Sequence, residues 1–279
     1  MLRRLDGQLQ GGYRTVSRGA GIDFTDLRAY TPSDDVRHID WNVTARLDEP
    51  FVRQYTEDRD LTGWLVLDRS ASMTPGGAGP GKADVLTDLA ICLARLLSGS
   101  GNRVGAILYD NQRQQVIPPR TGRTQTLRLA HELGRPVEPG GGTTTDLAAM
   151  LRLAAGTARR RSLIFVVSDF IGEPGWEAPL ARLAHRHEVI VLRVVDPAEL
   201  DLPDLGLVLV EDAETGEQLL VDTSDPHLRQ RLTAEVRARE ATLAAAMSRA
   251  GVAAHRITTD HDLTRTLVDL ARRSGRRRG

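Results

Sequence analysis

The chain has 279 residues, 41% of them hydrophobic, which is enough for one large or two small domains with a proper core. Its 37 basic and 37 acidic residues cancel, so no global field directs it to nucleic acid or to an anionic membrane. No apolar run approaches the ~18 residues of a membrane span, the N-terminus lacks the apolar stretch of a secretory leader, and the one cysteine, Cys92, has no partner for an internal disulfide, so a cytoplasmic location is expected.

Residues 1–60 have few apolar runs but many aromatics, Tyr13, Phe24, Tyr30, Trp41, Phe51 and Tyr55, among Asp34, Asp35, Arg37, Asp40 and Arg46. That is too aromatic for a disordered tail. The segment is expected to lie on the following domain as short strands and turns, with Tyr30, Trp41 and Phe51 buried and the Arg and Asp side chains in an internal network. From about Leu61 the pattern alternates strand and helix, as parallel βαβ units do. It predicts strands over 64–68, 103–109, 162–168 and 188–195, a short edge strand at 114–117, and helices over 83–98, 124–133, 146–158 and 176–185. Val85, Leu86, Leu89, Leu93, Leu96 and Leu97 fall at helical spacing. Segments 207–210 and 218–221 flank Asp212-Ala213-Glu214-Thr215-Gly216 as a hairpin, inserted near 206–222. Ser224-Asp225-Pro226 opens a long amphipathic helix. A strand at 252–257 and a helix at 262–272 complete one doubly wound, mostly parallel α/β domain over 61–273, followed by a disordered basic tail, 274–279.

The chemistry gathers in three pieces. Leu65-Val66-Leu67-Asp68-Arg69-Ser70-Ala71-Ser72-Met73 is an apolar strand ending in a carboxylate and two hydroxyls at alternate positions; Gly140-Gly141-Gly142-Thr143-Thr144-Thr145-Asp146-Leu147 leads into a helix; Leu163-Ile164-Phe165-Val166-Val167-Ser168-Asp169 is a second strand ending in an acid. Each alone is an ordinary turn or cap. Together they place oxygen donors beyond the carboxyl ends of parallel strands, where ligands bind in such sheets, and a hard divalent cation takes oxygen donors. The arrangement resembles the metal-ion-dependent adhesion site of von Willebrand factor A domains. The resemblance implies Mg²⁺ or Mn²⁺ held, directly or through water, by Asp68, Ser70, Ser72, Thr145 and Asp169. Thr145 is taken from the family pattern of Gly-Gly-Thr, a polar residue and Leu, with Thr143 and Thr144 left open beside it. Alanine at Asp68 or Asp169 is then expected to abolish metal binding with the fold intact.

Phe24-Thr25-Asp26-Leu27-Arg28-Ala29-Tyr30, Ser33-Asp34-Asp35-Val36-Arg37-His38-Ile39-Asp40-Trp41 and Ala45-Arg46 resemble the signature of the bacterial family called domain of unknown function 58, which precedes a von Willebrand factor A-like domain. Ser33 replaces the Gly often found before the Asp pair. Members are typically encoded beside MoxR-type AAA+ ATPases, which implies an adaptor or co-chaperone that uses its metal to bind a carboxylate on the ATPase or its client. The alternative is a metal-dependent phosphoester hydrolase. It lacks a nucleophile elbow, the second Asp of an aspartate-nucleophile phosphatase, and a zinc-spaced partner for His185 or His187. Gly76 to Lys82 matches most of a phosphate-binding loop, but Ala83 stands where a hydroxyl is needed. A nucleic-acid factor rests on the Arg-rich tail alone.

Overall fold

The computed structural model of the chain describes residues 23–32, 34–47, 49–56, 61–73, 81–110, 113–136, 145–200, 204–211 and 218–260. The readings at the Gly-rich loop 74–80, at Thr143 and Thr144, at the turn 212–216, and at 262–272 and the tail lie outside the described residues.

At the start, β1 (Asp23–Ala29) and β2 (Phe51–Thr56) pair antiparallel around a 3-10 turn (Val36–His38) and a short helix, α1 (Trp41–Leu47). Arg28 donates to both oxygens of Asp34 at 2.7 and 2.5 Å, and the Thr31 N–H and hydroxyl donate to the same carboxylate. The Arg28 hydrogen bonds, then those from Thr31, hold Asp34 well below the usual carboxylate range. Asp40 is buried and caps α1 by accepting from the N–H groups of Asn42 and Val43. The Arg28–Asp34 pair and the Asp40 cap thus lie within the segment itself, and Arg37 is exposed. Three expectations are corrected: the segment contains a helix, Tyr30 and Phe51 are only half-buried, and Trp41 is 68% exposed, because the cap turns Asp40 inward and the next residue out. Trp41→Ala is accordingly expected to change stability by no more than about 0.5 kcal/mol in denaturant unfolding, the range of a surface substitution. A loss above ~2 kcal/mol would show that the indole is covered.

The main body runs β3 (Thr62–Asp68), α2 (Lys82–Gly99), β4 (Arg103–Tyr109), β5 (Gln114–Arg120), α3 (Arg123–Leu133), α4 (Leu147–Thr157) and β6 (Leu163–Ser168). It continues through α5 (Glu177–Arg186), β7 (Glu188–Val195), α6 (Pro197–Leu200), β8 (Leu207–Glu211), β9 (Gln218–Asp222), α7 (Pro226–Arg249) and β10 (Ala253–Thr258). Six strands form one sheet in the order β10-β7-β6-β3-β4-β5, parallel throughout except for β5. That edge strand runs past the expected end to Arg120 through Pro118 and Pro119, residues that an edge tolerates because it needs fewer ladder donors. β8 and β9 form a separate antiparallel hairpin, as expected, with Leu207, Leu209, Leu219 and Leu220 exposed.

Alternation along β3 explains the two layers. Leu65 and Leu67 enter a core with Val85, Leu89 and Leu93 of α2 and Leu129 of α3, while Trp64 and Val66 enter a second core with Leu147 and Leu151 of α4, Leu180 of α5 and Met247 of α7. Every β3 residue from Gly63 to Asp68 is buried, which is why the strand reads as a continuous apolar run. From β3 the chain moves to β4 on one side and later adds β6 on the other, so the switch point lies between β3 and β6. Among the described residues no helix is long and apolar enough to cross a membrane.

Candidate metal centre

The register of β3 and β6 pairs Leu67 with Val167, and the next step along both strands brings Asp68 beside Ser168. The Ser168 hydroxyl donates to Asp68 Oδ2 at 2.6 Å, and the Ser70 N–H donates to Oδ1 at 3.0 Å. The Ser70 and Ser72 hydroxyls lie 3.1 Å apart, and Asp68, Ser70, Ser72 and Ser168 are all buried. Arg69 points the other way and donates to the carbonyls of Glu132, Leu133 and Arg135, which fastens the loop after Asp68 to the C-terminal end of α3.

Asp169 follows β6 directly and is 1% exposed. Its Oδ1 accepts from the Ile171 N–H at 2.9 Å, and its Oδ2 accepts from the Lys82 ammonium at 2.7 Å. The same ammonium donates to Glu199 of α6 at 2.5 Å. Arg193 of β7 donates to the Asp169 carbonyl at 3.1 Å and pairs with Glu240 of α7. Phe170 takes a left-handed backbone, φ 57°, which is costly for a bulky side chain. Its N–H is held by the Ser168 hydroxyl oxygen at 2.9 Å, and its ring meets Trp176 edge-on at 5.0 Å.

Thr145 is fully buried, and its carbonyl accepts from the N–H groups of Glu173 and Leu147. The turn before α4 is thus laced to the loop after Asp169. Asp146 caps α4 by accepting from the Ala149 N–H, so the helix begins one residue later than the periodicity implies. The close approach requires Gly172: a Cβ there would stand 2.4 Å from the Thr145 carbonyl oxygen. Gly172→Ala is therefore expected to lower stability by about 1–3 kcal/mol, as overpacking does, in denaturant unfolding. An unchanged midpoint would mean that the two loops do not need their observed contact.

The structure thus brings Asp68, Ser70 and Ser72 onto one loop, places Asp169 at the neighbouring strand end, and joins Thr145 to the Asp169 loop through the main chain. Burial, and then the negative charge of Asp169, push the Asp68 carboxyl up to about 6 against the hydrogen bonds from Ser168 and Ser70. Two buried carboxylates that repel one another beside three hydroxyls fit a small hard cation. Among the described residues no three His, Cys, Asp or Glu converge, so a nitrogen- or sulfur-rich centre has no counterpart there. Burial raises the Tyr109 phenol, with Asp146 adding to the effect, and Tyr109 pairs with Asp68 in the sheet register at the edge of the group.

Sequence reasoning passed over Ser168, Lys82 and Glu199. Ser168 follows from strand register, which needs the sheet order. Lys82 carried a signal of its own: it is the single lysine among 37 Lys and Arg residues. The phosphate-loop match ending at Lys82 finds no support, since the ammonium is buried and turned to two carboxylates.

The model of the family described as Protein of unknown function DUF58 matches residues 26–242. The uncharacterized protein Rv1480 of Mycobacterium tuberculosis is 36% identical over 277 residues, 99% of this chain and 86% of the relative. Among solved structures, an aerotolerance-related membrane protein from Bacteroides fragilis aligns with a TM-score of 0.50 at 17% identity, covering 78% of this chain and 99% of that one. The SpRpn10 VWA domain aligns with a TM-score of 0.41 at 16% identity, covering 75% of this chain and 94% of that one. The doubly wound, mostly parallel sheet is the fold shared with the Bacteroides fragilis protein.

Proposed function

The chain belongs to the Protein of unknown function DUF58 family, and from that premise we propose that it is a metal-dependent protein-interaction module. Asp68, Ser70, Ser72, Thr145 and Asp169 hold Mg²⁺ or Mn²⁺, and the partner, a MoxR-type AAA+ ATPase or its client, contributes a carboxylate. The observation that carries the reading is the buried, mutually repelling pair Asp68 and Asp169 at the switch point, with the Ser70 and Ser72 hydroxyls beside it. When bound, the ion supplies positive charge that two carboxylates only just balance, and an outside carboxylate is a stronger anchor for it than a neutral oxygen.

The residues do not favour hydrolysis. His187, a conceivable base, lies just before β7, at the amino end of the parallel strands, whereas the site lies beyond their carboxyl ends.

The test is capture of a purified MoxR-type ATPase by the immobilised chain, with Mg²⁺ and with chelator. Binding is expected only with the metal, and Ser70→Ala with Ser72→Ala should weaken it about tenfold or more while circular dichroism stays unchanged. Chelator-resistant capture would overturn the adhesion mechanism. Metal-dependent phosphoester turnover lost in Asp68→Ala would put the hydrolase first.

A further inference from the structure

Lys82 is placed where a cation is unwelcome. It is the first residue of α2, directly after the Gly81 cap, at the positive end of a helix, and it is only 6% exposed. In a chain that otherwise uses arginine for every fixed cation, a lysine here provides a compact point charge with three donors in place of a wide planar fork. Two of those donors are accounted for: one meets buried Asp169 and one meets Glu199 on the exposed turn of α6. Each Asp169 oxygen keeps a lone pair beside its donor, Lys82 or the Ile171 amide, but a cation seated there would stand within a few ångströms of the like charge of the ammonium. The ammonium is the one of the two that can move, because it stands at the end of a four-carbon stem and already touches a second carboxylate.

We propose that Lys82 is the tethered counter-ion of the metal site: its ammonium neutralises Asp169 in the metal-free chain and withdraws to Glu199 when a divalent cation binds. This rests on the metal reading above and adds a regulatory part to it. Metal affinity is set by how firmly Lys82 holds Asp169, and Glu199 is the seat that makes its release possible. Occupancy of the site is then felt at 197–200, a stretch that contributes no residue to the donor set.

Because Lys82 is the single lysine, incorporation of ¹⁵N-lysine labels one side-chain ammonium. Titration with Mg²⁺ is expected to shift that resonance with the same midpoint as the calorimetric isotherm. Lys82→Gln should tighten Mn²⁺ binding on the order of tenfold, and Glu199→Gln should weaken it on the order of threefold, as expected for charges a few ångströms from the ion. A merely structural ion pair would instead weaken binding in both variants. If Mg²⁺ binds and the Lys82 resonance stays still, or folded Lys82→Gln binds no more tightly than wild type, the counter-ion role is wrong and the metal site stands. If neither wild type nor Lys82→Gln binds Mg²⁺ or Mn²⁺, the metal site itself is wrong, and this role with it. Binding by Lys82→Gln alone would overturn the withdrawal and show Lys82 to be a fixed block.

Discussion

Asp68→Asn is expected to abolish divalent-metal binding with the fold intact. The amide keeps the size of the side chain, accepts the Ser70 N–H at its oxygen, and donates to the Ser168 hydroxyl, which turns to receive it. In the unsubstituted chain, Mg²⁺ or Mn²⁺ at a hundredfold excess over Kd should add ~2.7 kcal/mol, or about 5–10 °C in melting temperature for a chain of this size. The variant should show no shift, and equal shifts in both proteins would remove Asp68 from the donor set. Acidification acts on the same group. The carboxyl titrates at about 6 in the fold against an ordinary 3.8, so between roughly pH 4 and 6 the folded chain keeps a proton that the unfolded chain has lost. The contribution of Asp68 to metal-free stability is fully present below that window and is lost as pH rises through it. Metal affinity runs the other way and falls below about pH 6, where the ion must displace the proton. The stability difference between wild type and Asp68→Asn, followed from pH 4 to 7 without metal, isolates this term. A difference that does not change with pH would contradict the raised carboxyl.

The sheet was legible because its strands are buried on both faces and read as apolar runs of strand length, with Asp68 and Asp169 marking two adjacent ends. Their adjacency is what a parallel sheet implies for two such strands, whereas the pairing of Asp68 with Ser168 needs the actual order, with β6 joining β3 on the side away from β4. The hydroxyls at 70 and 72 were readable from alternate spacing after a strand. Trp41 was misread because an aromatic residue in a segment with little helical periodicity looks like core, whereas the cap at Asp40 decides which way it faces. Lys82 was hidden by its neighbours: a glycine-rich approach makes a lysine look like a phosphate ligand, and its true partners lie 87 and 117 residues away.

Asp169→Ala is expected to damage the fold as well as the site, which revises the expectation from sequence that alanine there is structurally silent. Asp169 is one half of a buried pair, with Lys82 6% and Asp169 1% exposed. Removing one partner of such a pair leaves an uncompensated buried charge and costs about 3–5 kcal/mol. Glu199 retains a hold on the ammonium and the repulsion on Asp68 is relieved, so the lower end, about 3 kcal/mol, is expected at pH 7. The loss should appear in denaturant unfolding without metal, where no bound ion confuses the reading. Lys82→Met in the Asp169→Ala background removes the stranded charge and should restore about 2 kcal/mol of it, a coupling of the size seen between directly interacting residues. Lys82→Met alone should be destabilising, because it leaves Asp169 and Asp68 facing each other without a counter-charge. Additive losses in the double variant would mean that the two side chains do not form the pair on which the metal-free site depends.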